Sequence, residues 1–251
     1  MSESSRGRVR VEPGPKRVRV YVAGHCVADT THPMYVWESP AYPTYYFPVS
    51  DVDAGALVAT ETRSHSLSRG DARHFTVKVN DVERVDAALQ YAESPIEELR
   101  ELIRFDWGAM DAWFEEDEEV YTHARSPYAR VDILPSSRNI RIELDGVVLA
   151  ESHRVHALFE TGLPTRWYLP KTDVHLDLLV ATETESRCPY KGQAEYWSAR
   201  IGERLERDIV WSYRTPLPES ERVAGLMCFY NERVDLFIDG ERQERPKTKF
   251  S

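Results

Sequence analysis

Residues 19–72 of this chain align with residues 141–194 at a constant offset of 122 (141 − 19), without a gap. Identical pairs include Gly24/Gly146, Glu38/Glu160, Tyr46/Tyr168, Pro48/Pro170, Asp51/Asp173 and Gly70/Gly192. The hexapeptide Leu-Val-Ala-Thr-Glu-Thr at 57–62 recurs letter for letter at 179–184. A spacing this long lies outside the roughly 20–50-residue periods of solenoids and propellers, so the repeat is a duplicated domain. A gapless match also preserves strand register, because a slip of one residue would turn buried side chains outward. The length of 251 residues fits two domains at roughly 100–200 residues each.

Local patterns make both copies mostly β. The alternations Val18-Arg19-Val20 and Ile140-Arg141-Ile142-Glu143-Leu144 place apolar side chains on one face of a strand. Gly24 and Asp145-Gly146 then mark tight turns, which predicts equivalent hairpins over 18–28 and 140–150. Further strand-like runs cover 75–79, 196–201, 209–213 and 234–238, the last followed by an Asp239-Gly240 turn. Ser94, Pro95, Glu97 and Glu98 predict a short helix over 94–102, with a weaker equivalent at 217–222. Many short strands between turns give a mostly β fold, a pair of small sandwiches or barrels with short helices. The predicted organisation is a flexible tail over 1–16, a first repeat over 17–120, a linker over 121–137 and a second repeat over 138–251. The acidic run at 115–119 reads as a solvated edge of the first repeat.

A formal net charge of −10 and a pI near 5.4 argue against general nucleic-acid or membrane-surface binding, which calls for a basic face. The basic stretch from Arg6 to Arg19 reads as a solvated lead-in. No apolar stretch approaches the ~20 residues of a membrane span, and the N-terminus lacks the apolar core of a secretory signal. Cys26, Cys188 and Cys228 form no Cys-x-x-Cys pair, so neither a disulfide framework nor a zinc knuckle is expected. The expectation is a cytoplasmic, reduced protein with no metal and no cofactor.

The copies part at one place. Where the second reads Cys188-Pro189-Tyr190-Lys191-Gly192, the first reads Ser66-Leu67-Ser68-Arg69-Gly70. This selective loss assigns function to the second copy and predicts an inert first one. Cys188 has a nucleophile's chemistry, since a neighbouring cation such as Arg187 or Lys191 lowers a thiol's pKa. A free cysteine is more often a small buried hydrophobe, and no His adjoins Cys188 in sequence. Lys191 reads as an anion contact at a pocket mouth or as an ordinary surface lysine, and no Gly-rich phosphate loop surrounds it. Trp167, Tyr168, Tyr190 and Trp197 are candidate walls of a ligand pocket or filling for a β core, with Thr184 and Gly192 beside them. Thr182 and Thr184 share one strand face, and Glu183, kept as Glu61 in the first copy, reads as structural.

Several of these blocks together carry a resemblance. They are Trp167-Tyr168-Leu169-Pro170 with Asp173-Val174, the run from Thr184 through Cys188-Pro189-Tyr190-Lys191-Gly192 to Tyr196-Trp197, Trp211-Ser212-Tyr213, and Cys228-Phe229-Tyr230 with Val234-Asp235. The chain resembles the bacterial proteins of the domain-of-unknown-function family 427, over nearly its whole length and as a tandem pair. The resemblance implies a β-tent-like fold, shared with the Yippee proteins, methionine sulfoxide reductase B and the cereblon ligand-binding domain. Those relatives mostly bind zinc through paired Cys-x-x-Cys motifs, which this chain lacks, so zinc is not carried over. A nucleotidyl-transfer label attached to the family finds no phosphate loop or paired-aspartate motif here. Three functions are open: a small-molecule-binding module with an aromatic-lined pocket in the second repeat, an enzyme using Cys188 or Lys191 in acyl or amide chemistry, or a scaffold. The first two are separated by whether a His or carboxylate lies within hydrogen-bond reach of the Cys188 sulfur.

Overall fold

The computed structural model describes residues 9–248 and 250–251. The chain divides into two compact units, Met1–Ser126 and Pro127–Ser251. The first contains β1 (Arg10–Pro13), β2 (Val18–Val22), β3 (His25–Thr30), β4 (Met34–Trp37), β5 (Thr44–Pro48), β6 (Leu57–Ser66), β7 (Gly70–Val79), β8 (Val82–Gln90), β9 (Leu102–Phe105), β10 (Ala112–Glu115) and β11 (Glu118–Glu119). A seven-stranded antiparallel sheet runs β1-β4-β5-β9-β8-β7-β6, and a four-stranded sheet runs β11-β10-β2-β3. The second unit contains β12 (Val131–Ser136), β13 (Ile140–Leu144), β14 (Val147–Ser152), β15 (Val155–Glu160), β16 (Arg166–Leu169), β17 (Leu179–Cys188), β18 (Gly192–Ile201), β19 (Arg204–Ser212), β20 (Met227–Phe229), β21 (Asp235–Ile238) and β22 (Glu241–Arg242). Its sheets run β12-β15-β16-β20-β19-β18-β17 and β14-β13-β21-β22, the same two orders strand for strand. The offset of 122 holds through β8 and β19. Phe105 then matches Phe229, each pairing with the equivalent residue (Ala88 and Val210), so the second copy carries two extra residues ahead of β20.

The expected hairpins are β2–β3 and β13–β14. Their turns, Ala23-Gly24 (φ 48° and 75°) and Asp145-Gly146 (φ 51° and 79°), have the left-handed pairs whose twist suits a two-residue hairpin. Alternation along β2 sends Val18, Val20 and Val22 into a core between the two sheets, shared with Tyr45, Phe47, Phe105 and Trp113. In the second unit Ile140, Ile142, Trp167, Leu169 and Phe229 form the matching core. Each such side chain contributes about 1.5–3 kcal/mol on burial. A second, smaller cluster covers the opposite, outer face of each seven-stranded sheet.

The repeated hexapeptide has a structural explanation. Thr60 and Thr62 both donate to the Asp86 carboxylate (2.7 and 2.8 Å), and Thr182 and Thr184 both donate to Asp208 (2.8 and 2.9 Å). Asp86 and Asp208 sit at φ 52° and 50°, where the register of β7–β8 and of β18–β19 shifts. The paired hydroxyls thus hold the carboxylate of a residue whose backbone conformation is unfavourable for an L-amino acid.

Four expectations change. Residues 94–102 form a single 3-10 turn, Glu97–Leu99, because Leu102 and Ile103 are drawn into the sheet; the weaker equivalent is the longer 3-10 segment, Pro218–Val223. Strand β1 lies within the expected tail, whose residues 1–8 fall outside the described ones, and β12 lies within the expected linker. Each pairs with the fourth strand of its copy, β1 with β4 and β12 with β15. The acidic run is not uniformly solvated: Glu115 is buried, accepts a hydrogen bond from the Tyr45 hydroxyl and pairs with Lys16 at 2.6 Å. Among the described residues no helix is long and apolar enough to cross a membrane.

Candidate functional site

The Cys188–Gly192 block is the turn joining β17 to β18. The Lys191 N–H donates to the Cys188 carbonyl (3.3 Å), and Gly192 takes φ 90°, which an L side chain disfavours. The turn is fastened from above: the Leu217 N–H donates to the Lys191 carbonyl (3.2 Å) and Ser220 Oγ to the Tyr190 carbonyl (3.1 Å). Pro189 is buried, and Cys188 and Tyr190 are half-buried. Lys191 does not stand at a pocket mouth. It is buried, with Nζ bonded to Glu160 Oε2 at 2.5 Å.

Strand pairing sets a row of side chains across the outer face of the sheet in one register. Across β15, β16, β20, β19 and β18 the paired residues are His156, Tyr168, Cys228, Trp211 and Tyr196. The same row in the first domain reads Met34, Tyr46, Arg104, Leu89 and His74. Only the tyrosine on β5 and β16 is common to both. In the second domain Trp211 Nε1 donates to the Tyr168 hydroxyl (3.1 Å), and the Tyr196 hydroxyl lies 2.7 Å from Ser186 Oγ and 3.4 Å from the Tyr230 hydroxyl. Ser186 is exposed, so this line of hydroxyls runs from solvent at the sheet edge into the aromatic cluster.

Beside the row lies a buried ion pair. Arg166 and Glu232 make two parallel bonds of 2.7 Å, a bidentate fork, and the guanidinium carbon lies 5.5, 5.7 and 5.9 Å from the ring centroids of Trp211, Tyr230 and Phe250. Burial opposes both charges, but the pairing outweighs it. The Arg166 pKa is raised, and the Glu232 carboxyl is held below its usual value by Arg166 and Thr248. Burial is the main influence on Cys228, whose thiol it pushes up to about 12 against the opposing Arg166 charge, and it holds the Tyr168 hydroxyl well above its normal range. Both groups are neutral hydrogen-bonding parts of the cluster at ordinary pH. His156, at the far end of the row, is shifted down by burial and by Arg222, and lines a shallow hollow of about 470 Å³ with Ser136 and His153.

Not all the residues singled out from sequence converge. Trp167 and Trp197 pack into or against the core between the sheets, whereas Tyr168 faces the opposite side. Thr184 is held by Asp208, and Gly192 pairs with Cys188 across the turn. Cys188, Tyr190 and Lys191 share the turn that joins β17 to β18, and Ser186 precedes it on β17. Among the described residues no His or carboxylate is hydrogen-bonded to the Cys188 sulfur. Sequence reading missed Ser186, Arg166, Glu160 and Glu232. A signal existed for the first pair of faces, since the offset alone shows Tyr196 replaced by His74 and Trp211 by Leu89. Nothing local announces the pairing of Arg166 with Glu232, 66 residues away.

The first domain is not bare. Arg69, which stands where Lys191 does, lies near Glu38, the counterpart of Glu160, and packs over the Tyr91 ring at 5.4 Å. The cation facing this carboxylate is therefore kept, while Cys, Pro and Tyr are not. A cleft of about 570 Å³ lies at the β6–β7 end, lined by Arg63, Ser64, His65, Asp71, Arg73 and Glu93.

No curated protein matches the chain. The profile described as a domain of unknown function, DUF427, matches twice, at residues 10–116 and 132–240, and each match covers one of the two sheet pairs built above. By its own duplicated sequence, its repeated topology and these two matches, the chain belongs to the DUF427 family as a tandem pair.

Proposed function

We propose that the protein binds a small molecule on the outer face of the second domain's seven-stranded sheet, at the edge formed by Ser186, Cys188, Tyr190, Tyr196 and Tyr230. The observation that supports this most is the line of hydroxyls from Ser186 through Tyr196 to Tyr230, which gives a ligand polar anchors beside aromatic walls. The first domain keeps the sheet and has Ser64 bonded to His74 in that place (2.7 Å). Binding is favoured over turnover because, among the described residues, no His or carboxylate is hydrogen-bonded to Cys188, and Lys191 is committed to Glu160. The test is mass spectrometry of small molecules released from purified, then denatured, protein. The wild type is expected to carry a species that Tyr196→Phe loses without loss of folding; identical extracts from both would end this reading.

A further inference from the structure

In the first domain, the row that begins with the buried Phe47 and Ile103 continues across β8, β7 and β6 as Gln90, Arg73 and Arg63. Register sets Arg63 directly opposite Arg73, a like-charge pairing that costs stability unless a negative group answers it. Among the described residues no carboxylate pairs with either arginine. Arg63 donates to the Thr60 and Thr62 carbonyls (2.8 Å each) and Arg73 to Gln90 Oε1 (3.2 Å), all neutral acceptors. Both line the cleft of about 570 Å³ with Ala92. Of the two carboxylates in that lining, Asp71 is taken by His65 at 2.6 Å, and Glu93 pairs with neither arginine.

The second domain has the charges of this place reversed and answered. Its row reads Leu169, Met227, Ser212, Glu195 and Glu185, so two glutamates face each other. Arg214, two residues beyond Ser212, supplies the cation, with its guanidinium 3.1 Å from Glu195. Two residues beyond Gln90 stands Ala92, whose methyl group answers nothing. One copy neutralises its like charges with its own side chain, and the other does not.

We propose that this cleft is an anion site of the first domain, taking the phosphate group of a small molecule between Arg63 and Arg73. A phosphate group carries about −1.5 to −2 charge at neutral pH and three acceptor oxygens. That matches two guanidiniums on neighbouring strands better than the single charge of a carboxylate does. Arg63 Nε and Nη2 and Arg73 Nε and Nη1 donate to nothing among the described residues, so each fork keeps two nitrogens for the ligand. The site does not depend on ligand binding in the second domain. It gives the first copy, which the sequence alone marks as inert, a ligand of its own.

The test is titration of the full chain with inorganic phosphate at constant ionic strength, followed by the amide NMR signals. The wild type is expected to saturate in the millimolar range with shifts confined to the β6–β7 end of the first domain, and acetate to give none there. Arg63→Gln and Arg73→Gln are each expected to weaken phosphate binding at least about tenfold, the factor equivalent to one charged hydrogen bond. Ala92→Glu supplies a carboxylate from the chain, at the position from which Arg214 answers the second domain's glutamates. It is expected to abolish the phosphate shifts and to raise the melting temperature. Three results overturn the proposal: phosphate shifts absent from the cleft, equal shifts with acetate, or undiminished phosphate binding in either arginine variant or in Ala92→Glu.

Discussion

The two domains share every strand and the order of every strand, yet differ on one face of one sheet. Between the sheets, the cores are interchangeable in kind: Val20, Phe47 and Phe105 in the first, Ile142, Leu169 and Phe229 in the second. Across the outer face, four of five residues in the central row have changed, and the changes run together. A lone arginine on β9, held against Glu38 at 3.7 Å, has given way to Cys228, while a new Arg166–Glu232 pair has formed elsewhere. The comparison teaches that a duplicated fold constrains its inner layer through register and packing. The outer layer answers only to whatever it must hold, and there the second domain has become more aromatic and has gained a buried ion pair beside the row.

The strongest way to break this contrast is at Arg166. Arg166→Met leaves the Glu232 carboxylate buried without its partner and is expected to cost the second domain about 3–5 kcal/mol. Thr44→Val, at the matching place in the first domain, is expected to cost less than about 1 kcal/mol, like most changes away from a buried network. Hydrogen exchange read separately on each domain checks both numbers; equal effects would remove the asymmetry. The same pair predicts an acid response with a definite sign. The Glu232 pKa is lowered by folding, so its contribution is present above the unfolded carboxylate range and is lost as pH falls through the lower folded value. Glu232→Gln is expected to flatten that part of the second domain's acid destabilisation.

A sharper comparison of intermediate size sits at the motif. Lys191→Met is expected to cost about 1–3 kcal/mol, because the Glu160 carboxylate loses its bonded donor in a site only 10 % exposed. From sequence, Lys191 reads as an anion contact or an ordinary surface lysine; the pair with Glu160 gives it a part in folding. Arg69→Met is expected to cost less, since Glu38 retains Tyr46 (2.6 Å) and Arg104. Urea midpoints of the two variants decide it.

The smallest effect tests sameness instead of difference. Thr182→Val and Thr60→Val each remove one hydroxyl from an equivalent clamp and are expected to cost about 1 kcal/mol apiece, alike in the two domains. A clear inequality would mean that the second clamp has a further duty, such as the ligand contact expected at Thr184.

How much of this was legible beforehand depends on which interactions are local. The duplication, the Gly24 and Asp145-Gly146 turns and the mostly β character follow from patterns a few residues long, and the two matches to one family agree with them. The face on which each aromatic lies was harder. Trp167 and Tyr168 are adjacent in sequence and read as one aromatic block, but a period of two sends them to opposite sides of the sheet. The same alternation separates Tyr196 from Trp197. Glu115 looked like part of a charged surface run, and only the approach of Tyr45 from 70 residues away makes it a buried acceptor. Lys191 and Glu160 were both visible; that they meet across the face of the sheet was not.

The clamp strands have one more consequence. β6 and β17 form the outermost ladder of their sheets, they contain the same hexapeptide, and each would present the other's neighbour with a matching hydrogen-bond pattern. A chain with two such interchangeable edges risks seating a strand in the wrong copy while it folds, a known failure of tandem domains. Both strands break register midway, between Ala59 and Arg63 and between Ala181 and Glu185, and beyond the break the first edge carries Arg63 and His65 where the second carries Glu185 and Arg187. The bulge and the charges blunt each edge against unwanted pairing, and the mismatch in their sequence gives each strand a partner it fits better than its twin's.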